Sequence, residues 1–269
     1  MTARAQIRIS QFLASYSHRL SARAAAIHRG LETNLAKIAL FWMVLAMSAC
    51  SLRVVASPTM GQMRGLETAA PYMLVVLAPV VTLLFGLRWF RNGEAMARPQ
   101  AHLARIGRWE KVEPSQARAH KLYGAGGIMV SLLVGMLMNV PVRVVEYLVS
   151  IPAIPSVTPH WLSTLHFMMT LDVVLLTSLY TLCFCAALKK VPFFPLLLGG
   201  VWMLDLSMQM IVAEVVASSG LPGGIADPLH TLLGGNVKKV LISMALWAPY
   251  LLLSERVNVT YRHRIARQG

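Results

Sequence analysis

Residues 161–188 read WLSTLHFMMTLDVVLLTSLYTLCFCAAL. A helix needs about 20 apolar residues to cross the hydrocarbon core of a bilayer. This stretch exceeds that length and carries a single charged side chain, Asp172. Lipid offers the backbone no hydrogen-bond partners, so such a run must satisfy its own amides as a helix. Working outward, five more stretches qualify, at about 35–56, 72–90, 124–148, 193–216 and 237–254. The interior Pro79, Pro141 and Pro249 are compatible with membrane helices, where neighbours satisfy the freed carbonyls. The expected fold is therefore an all-α polytopic transmembrane bundle of about six helices. Composition agrees: 56% of residues are hydrophobic, only 13% are charged, and the mean hydropathy is +0.59. Soluble domains carry about 25% charged residues, so 269 residues of this composition could not cover a soluble surface.

Orientation follows from the placement of the basic residues. Segment 1–34 holds five Arg, segment 91–123 seven basic residues, the turn at 189–192 Lys189 and Lys190, and the tail four more Arg, so eighteen of the 25 lie on one side of the alternation. The opposite loops, about 57–71, 149–160 and 217–236, hold only Arg64. The positive-inside rule then places both ends in the cytoplasm, as expected of a multi-pass protein of a bacterial inner membrane. Lys238 and Lys239 break the pattern at the outer end of the sixth helix. The formal charge of +14 is thus loop charge facing anionic lipid headgroups. No nucleic-acid-binding motif or separate basic domain is present, and nucleic acid is not an expected partner.

The chain divides into a basic segment 1–34, a two-helix membrane unit 35–90, a basic cytoplasmic linker 91–123 and a four-helix core 124–265. In the first segment Ile9, Phe12, Leu13, Tyr16, Leu20, Ile27 and Leu31 recur at helical spacing. They make either an amphipathic helix lying on the membrane surface or a basic tail that only enforces topology. Met47–Ser48–Ala49–Cys50 has the outline of a lipoprotein cleavage box, but apolar character continues through Val54, Val55 and Ala56, so an uncleaved helix is expected.

Charges inside a bilayer are costly and mark candidate sites. Asp172 and Asp205 both fall near mid-depth of their helices, with Asn139 and Gln209 as neutral partners. They read either as a proton- or cation-responsive pair or as interhelical hydrogen bonds that hold the bundle. Nearer the outer face stand Arg143, Glu146, Glu214, Lys238 and Lys239. Arg143 and Glu146, three apart, can pair along one helix, and the group reads as a headgroup-level salt-bridge layer or an anion site. Gly127, Ser131 and Gly135 form a small-residue stripe of the kind that packs against another helix. His160 and His166, six apart, do not share a face as a metal pair would. No Cys/His metal spacing, Walker loop, HExxH, GxSxG or dinucleotide fingerprint occurs, so no metal or other cofactor is expected.

The chain ends in Trp247, Pro249, Tyr250, Ser254, Arg256, Val257, Thr260 and Tyr261, a W-x-P-Y-x-x-x-S-x-R-V-x-x-T-Y pattern. With the glycine-rich Gly124–Gly127 and the turn Lys189–Pro195, it resembles a family of small four-helix bacterial inner-membrane proteins of unknown function. That family usually has Phe at the last position, where Tyr261 departs. The resemblance covers roughly residues 120–265. It implies a four-helix core with cytoplasmic ends and carries no activity. Read alone, Pro249 can bend the sixth helix, and Arg256 would meet lipid phosphate at the inner interface.

Three functions compete. The leading expectation is a non-enzymatic accessory or partner-binding subunit that contacts another membrane protein. The alternatives are a small proton- or cation-linked transporter using Asp172 and Asp205, and a lipid-handling enzyme built on Arg143, Glu146, His160 and His166. A polar cavity reaching the aspartates would favour transport, and an outer lateral cavity lined by the Arg/Glu/His group would favour lipid chemistry.

Overall fold

The computed structural model describes residues 22–57, 65–97, 99, 109–155 and 158–267. The segment preceding residue 22, with most of the amphipathic pattern, lies outside them. Helix α1 covers 22–33. It is followed by α2 (Leu35–Val55) and α3 (Gly65–Trp89), the latter running into a 3-10 turn, Phe90–Ala95. A short strand β1 (Trp109–Lys111) and helix α4 (Pro114–Ala119) lead to α5 (Met129–Ser150), α6 (His160–Leu188), α7 (Phe194–Ser218) and α8 (Gly223–Leu253). A single turn α9 (Glu255–Val257), a π-turn Asn258–Arg262 and strand β2 (Arg264–Ala266) complete the chain. Among the described residues five helices are long and apolar enough to cross a membrane, or six if α8 and its bent continuation count as one span. The protein is an all-α, multi-pass membrane bundle.

Helix α6 is the central element. It packs against α3, α5 and α7, α7 packs on α8, and α2 lies across α3 and α5. Burial follows this order: 67% of the apolar window of α6 is buried, against 17% for α2. The first two helices therefore pack on the other four. Gly86 makes the α3–α6 contact possible, because a Cβ there would sit 3.0 Å from both Cβ and Sγ of Cys185. The Trp42 indole donates to the Val76 carbonyl at 3.1 Å and ties α2 to α3. Phe41, Val81, Met210 and Ile242 point outward as an apolar girdle, the arrangement a lipid solvent requires. All three cysteines are buried and free. Cys50 lies within α2, which continues to Val55.

The loops segregate to two ends, as the alternation requires. At one end Lys190 pairs with Glu94 at 2.8 Å, Arg118 with Glu94 at 3.3 Å and His120 with Glu255 at 3.7 Å. There β1 from the linker pairs antiparallel with β2 from the tail, with Glu110 opposite Ile265. At the other end Arg53 Nε donates to the Ile151 carbonyl at 3.2 Å, and the Ala153 amide donates to Ser57 Oγ at 3.2 Å.

Three expectations are corrected. The third span begins at Met129 rather than 124, because Gly124 and Gly127 take positive φ (102° and 62°) and hold 124–128 out of the helix. Residues 223–236 belong to α8 rather than to an outer loop: Pro222 stands at the N-cap, and Leu229 and Leu233 are buried against the core. The last helix passes through Pro249 unbroken and turns by 64° at Ser254, whose backbone is extended. Asn258 Nδ2 donates to the Leu252 and Ser254 carbonyls there (3.3 and 3.0 Å), satisfying groups the break exposes. The small-residue stripe stands clear of the other described helices. Ser131 and Gly135 are exposed, Gly135 has open space where a Cβ would lie, and Gly127 sits before the helix against Arg256.

Candidate functional site

Arg143 stands past the middle of α5, Asp172 near the middle of α6 and Asp205 near the middle of α7. The bundle brings them together. The guanidinium sends Nη1 to Asp172 Oδ2 at 3.1 Å and Nη2 to Asp205 Oδ2, while Nε reaches Asn139 Oδ1 at 3.2 Å, one turn back on its own helix. A guanidinium presents several donors in a fixed planar fork, which suits it to hold two carboxylates at once. The side chains are buried, at 9%, 4% and 0% relative exposure for Arg143, Asp172 and Asp205.

The carboxylates have further donors. Tyr180 OH donates to Asp205 Oδ2 at 2.9 Å, and its ring lies 5.9 Å from the Arg143 guanidinium carbon. Gln209 Nε2 donates to Asp172 Oδ1 at 2.9 Å and approaches Asp205 Oδ1 at 3.5 Å. Gln209 Oε1 in turn accepts from Asn236 Nδ2 at 3.2 Å. Asn236 Oδ1 accepts from Lys239 Nζ at 3.4 Å, and Lys239 pairs with Glu146. One hydrogen-bonded network therefore runs from Tyr180 through the buried trio to Lys239 and Glu146 at the outer end. Fully ionised, the trio carries one guanidinium against two carboxylates, a net charge of −1.

A cavity of about 130 Å³ meets this network. It lies in the seam between α5 and α8, the first and last core helices, whereas the sequential pairs α5–α6, α6–α7 and α7–α8 pack closely. Its lining on α5 runs from Leu132 to Glu146, about 21 Å at 1.5 Å per residue. Asn139, Arg143, Tyr180, Asn236, Lys239 and Ser243 give it polar groups, and Trp202 and Trp247 give it aromatic walls. A second void, of about 10 Å³, touches Asp172 and Arg143. The cavity thus reaches the groups that hold the aspartates, while the aspartates lie one layer behind its wall.

The outer-face cluster expected from sequence divides. Arg143 does not pair with Glu146 but turns inward to the aspartates, where its guanidinium is desolvated and two opposite charges are in reach. Glu146 takes Lys239, which resolves one of the two cations on the unfavoured side. Lys238 and Glu214 are exposed, with no ion pair to either among the described residues. His160 is exposed, and His166 faces Tyr147, with 3.4 Å between Nε2 and the phenol oxygen. Among the described residues, Arg143 and Glu146 line one cavity and His166 another, and His160 lines neither. Among the described residues no cluster of three His, Cys, Asp or Glu could hold a metal ion.

Tyr180 and Asn236 escaped the sequence reading. Tyr180 lies eight residues after Asp172, so the two share a helix face. Asn236 lay in the supposed outer loop and gained a helical face only when α8 extended to Gly223.

The residues of the C-terminal pattern gather at the basic end. Thr260 Oγ1 accepts from the Gly124 amide at 2.9 Å, Arg256 Nη1 donates to the Gly124 carbonyl at 3.3 Å, and Tyr261 OH donates to the Ala187 carbonyl at 2.9 Å. The Tyr261 ring also packs tilted against Phe194, with ring centroids 5.1 Å apart and an interplanar angle of 42°. Arg256 thus engages the glycine-rich opening of the core rather than standing free for lipid phosphate. Trp247 packs edge-on against Tyr250 at 5.9 Å. No family model matches the chain, and neither a curated protein nor a solved structure matches it.

Proposed function

We propose that this membrane protein is a small proton- or cation-linked solute transporter whose working element is the Arg143–Asp172–Asp205 trio. The observation that carries the reading is a polar cavity, extended along the α5–α8 seam, that opens onto the one cation holding both buried carboxylates. A purely structural salt bridge has no need of an adjoining cavity. A trio with net charge −1 in a medium that penalises net charge calls for one further positive charge, a proton or a monovalent cation. Polar solute in the cavity would meet Arg143, Asn139, Tyr180 and Lys239 directly. It would act on the aspartates through the guanidinium they share.

The accessory-subunit reading rests on a compact bundle without a catalytic constellation, and the exposed apolar face of α2 adds nothing to it, since lipid satisfies that face as well as a partner would. The lipid-enzyme reading loses its support with the separation of the histidines from Arg143 and Glu146. Charge placement supports a bacterial inner membrane with both ends cytoplasmic. The meeting of Gly124, Phe194, Arg256, Thr260 and Tyr261 at one end supports kinship with the four-helix family whose motifs they resemble.

The test is proton movement in proteoliposomes loaded with a pH-sensitive dye. External amines, carboxylates and zwitterionic amino acids are offered in turn. The expected result is solute-dependent proton flux in the wild type that is lost in Asp172→Asn and Asp205→Asn, both still folded by circular dichroism. Flux unchanged in both variants, or no response to any of the three solute classes, overturns the reading.

A further inference from the structure

Asp172 and Asp205 differ in what they can reach. The Asp205 side chain has no exposed surface, whereas that of Asp172 keeps 4%. Asp172 borders the small void of about 10 Å³, and neither aspartate lines the larger cavity. A proton arriving from water therefore meets Asp172 first, and meets it in that void. The carboxylate can take it there: Oδ2 accepts from Arg143 and Oδ1 from Gln209, and each oxygen has a second lone pair.

The same void touches Glu146, whose side chain is 34% exposed. Among the described residues Glu146 is the one acid that lines both the void and the larger cavity. Exposure thus falls inward along three carboxylates, from Glu146 through Asp172 to Asp205. The size of the void sets what can stand between the first two. A volume of about 10 Å³ has room for one water molecule, and a buried water needs about two to four polar partners. Arg143, Glu146, Asp172 and Asn236 bring polar groups to its walls, while the Tyr147 hydroxyl is committed to Thr170.

A second link joins the outer pair to Asp172, and its chemistry disqualifies it as a proton path. Lys239 Nζ donates to Asn236 Oδ1, Asn236 Nδ2 to Gln209 Oε1, and Gln209 Nε2 to Asp172 Oδ1. The chain is polarised one way throughout, from a donor-only ammonium to an acceptor-only carboxylate. Its two middle groups are carboxamides, which donate hydrogen bonds without releasing the proton. It fixes one wall of the void and carries no proton along it.

We propose that Glu146 is the proton-entry residue of the trio, passing protons to Asp172 through a single water in this void; the inference rests on the transport reading above. Glu146 takes a proton from the outer solution onto its carboxylate. It gives that proton to the water, which releases another to Asp172. One proton has then moved inward, the water is restored and Glu146 is again a carboxylate. The charged groups facing Glu146 are Lys239 on α8 and Arg143 three residues back on α5, and those facing Asp172 are Arg143 and, on α7, Asp205. Lys239 holds the Glu146 side chain, and Arg143 stays bound to both aspartates through the transfer.

The test follows the infrared carboxyl band of the full chain in phosphatidylcholine nanodiscs after a light-triggered acid jump. Glu146→Gln should keep the final amplitude of the band and slow its rise about a hundredfold, the lower end of what a positioned proton-transfer group contributes. Glu146→Asp, which keeps a titratable group, should recover part of the rate. Formate or imidazole in the outer solution should speed Glu146→Gln, because a small weak acid replaces the missing carboxyl. A merely structural Glu146 would show no such rescue. Glu214→Gln, which changes an exposed acid bordering neither the cavity nor the void, should rise as the wild type does. A wild type with no band overturns the transport reading and this inference with it. A band of normal amplitude that rises as fast in Glu146→Gln as in wild type, or a band lost in that variant, overturns this inference alone.

Discussion

Arg143 and Asp205 are hydrogen-bonded across 62 residues of sequence, between helices α5 and α7, at a point where the carboxylate has no exposed surface. A cation fixed there is worth little as a net source of stability, because desolvating it costs about as much as its partners return. Removing it is another matter. Arg143→Met should destabilise the bundle by about 3–5 kcal/mol by leaving two carboxylates facing each other without a cation. The triple variant with Asp172→Asn and Asp205→Asn should recover most of that loss. The outer pair behaves differently: Lys239 is 55% exposed, and Lys239→Gln should cost no more than about 1 kcal/mol. Unfolding in detergent, followed by circular dichroism, measures all three.

Close packing at the basic end gives a second expectation. A Cβ on Gly93 would lie 2.6 Å from the Lys189 carbonyl oxygen and 2.8 Å from Val191 Cγ2. The first of these is backbone and cannot swing away, so Gly93→Ala should destabilise by more than about 1 kcal/mol. Gly199 in α7 has open space around it. Gly199→Ala should be neutral or stabilising by up to about 1 kcal/mol through helix propensity. Equal effects of the two changes would contradict the packing described.

The cap formed by the C-terminal pattern can be dissected at single atoms. Tyr261→Phe removes the hydroxyl from the buried Ala187 carbonyl, and Thr260→Val removes the acceptor of the Gly124 amide. Each should cost about 1–3 kcal/mol, while Thr260→Ser, which keeps the acceptor, should cost less than Thr260→Val. Thermal melting of the three variants decides it.

Orientation is open to direct labelling, since the native cysteines are buried. His230 and Arg267 are exposed at opposite ends of the bundle. A membrane-impermeant maleimide should label His230→Cys in intact cells and Arg267→Cys only after permeabilisation. The reverse pattern would invert the charge-based topology.

Much of this molecule can be read in its residues, and the gaps have physical causes. Helix length and hydropathy place the spans because lipid leaves the backbone no other option. The helical state of 223–236 was hidden by Gly223–Gly224 and Asp227–Pro228, which read as turn material, whereas burial of Leu229 and Leu233 against the core outweighs that local preference. The aspartates were visible because any charge in an apolar run stands out. Their partner Arg143 was visible too, but sequence could not say that it turns inward to α6 and α7 rather than outward to Glu146. That choice depends on helix rotation, which no single helix encodes. Tyr180 and Asn236 carry no charge and became legible only with the packing.

On the transport reading proposed above, the Arg143, Asp172 and Asp205 trio exchanges a proton within the folded membrane protein. Infrared difference spectroscopy across a pH step reads this directly through the carbonyl stretch of a protonated carboxyl group. A pH-dependent carboxyl band is expected in the wild type that disappears in Asp172→Asn with Asp205→Asn and persists when Glu146 is changed to Gln. A spectrum with no such band over the whole pH range in which the protein stays folded, or a band untouched by the double aspartate change, would contradict it.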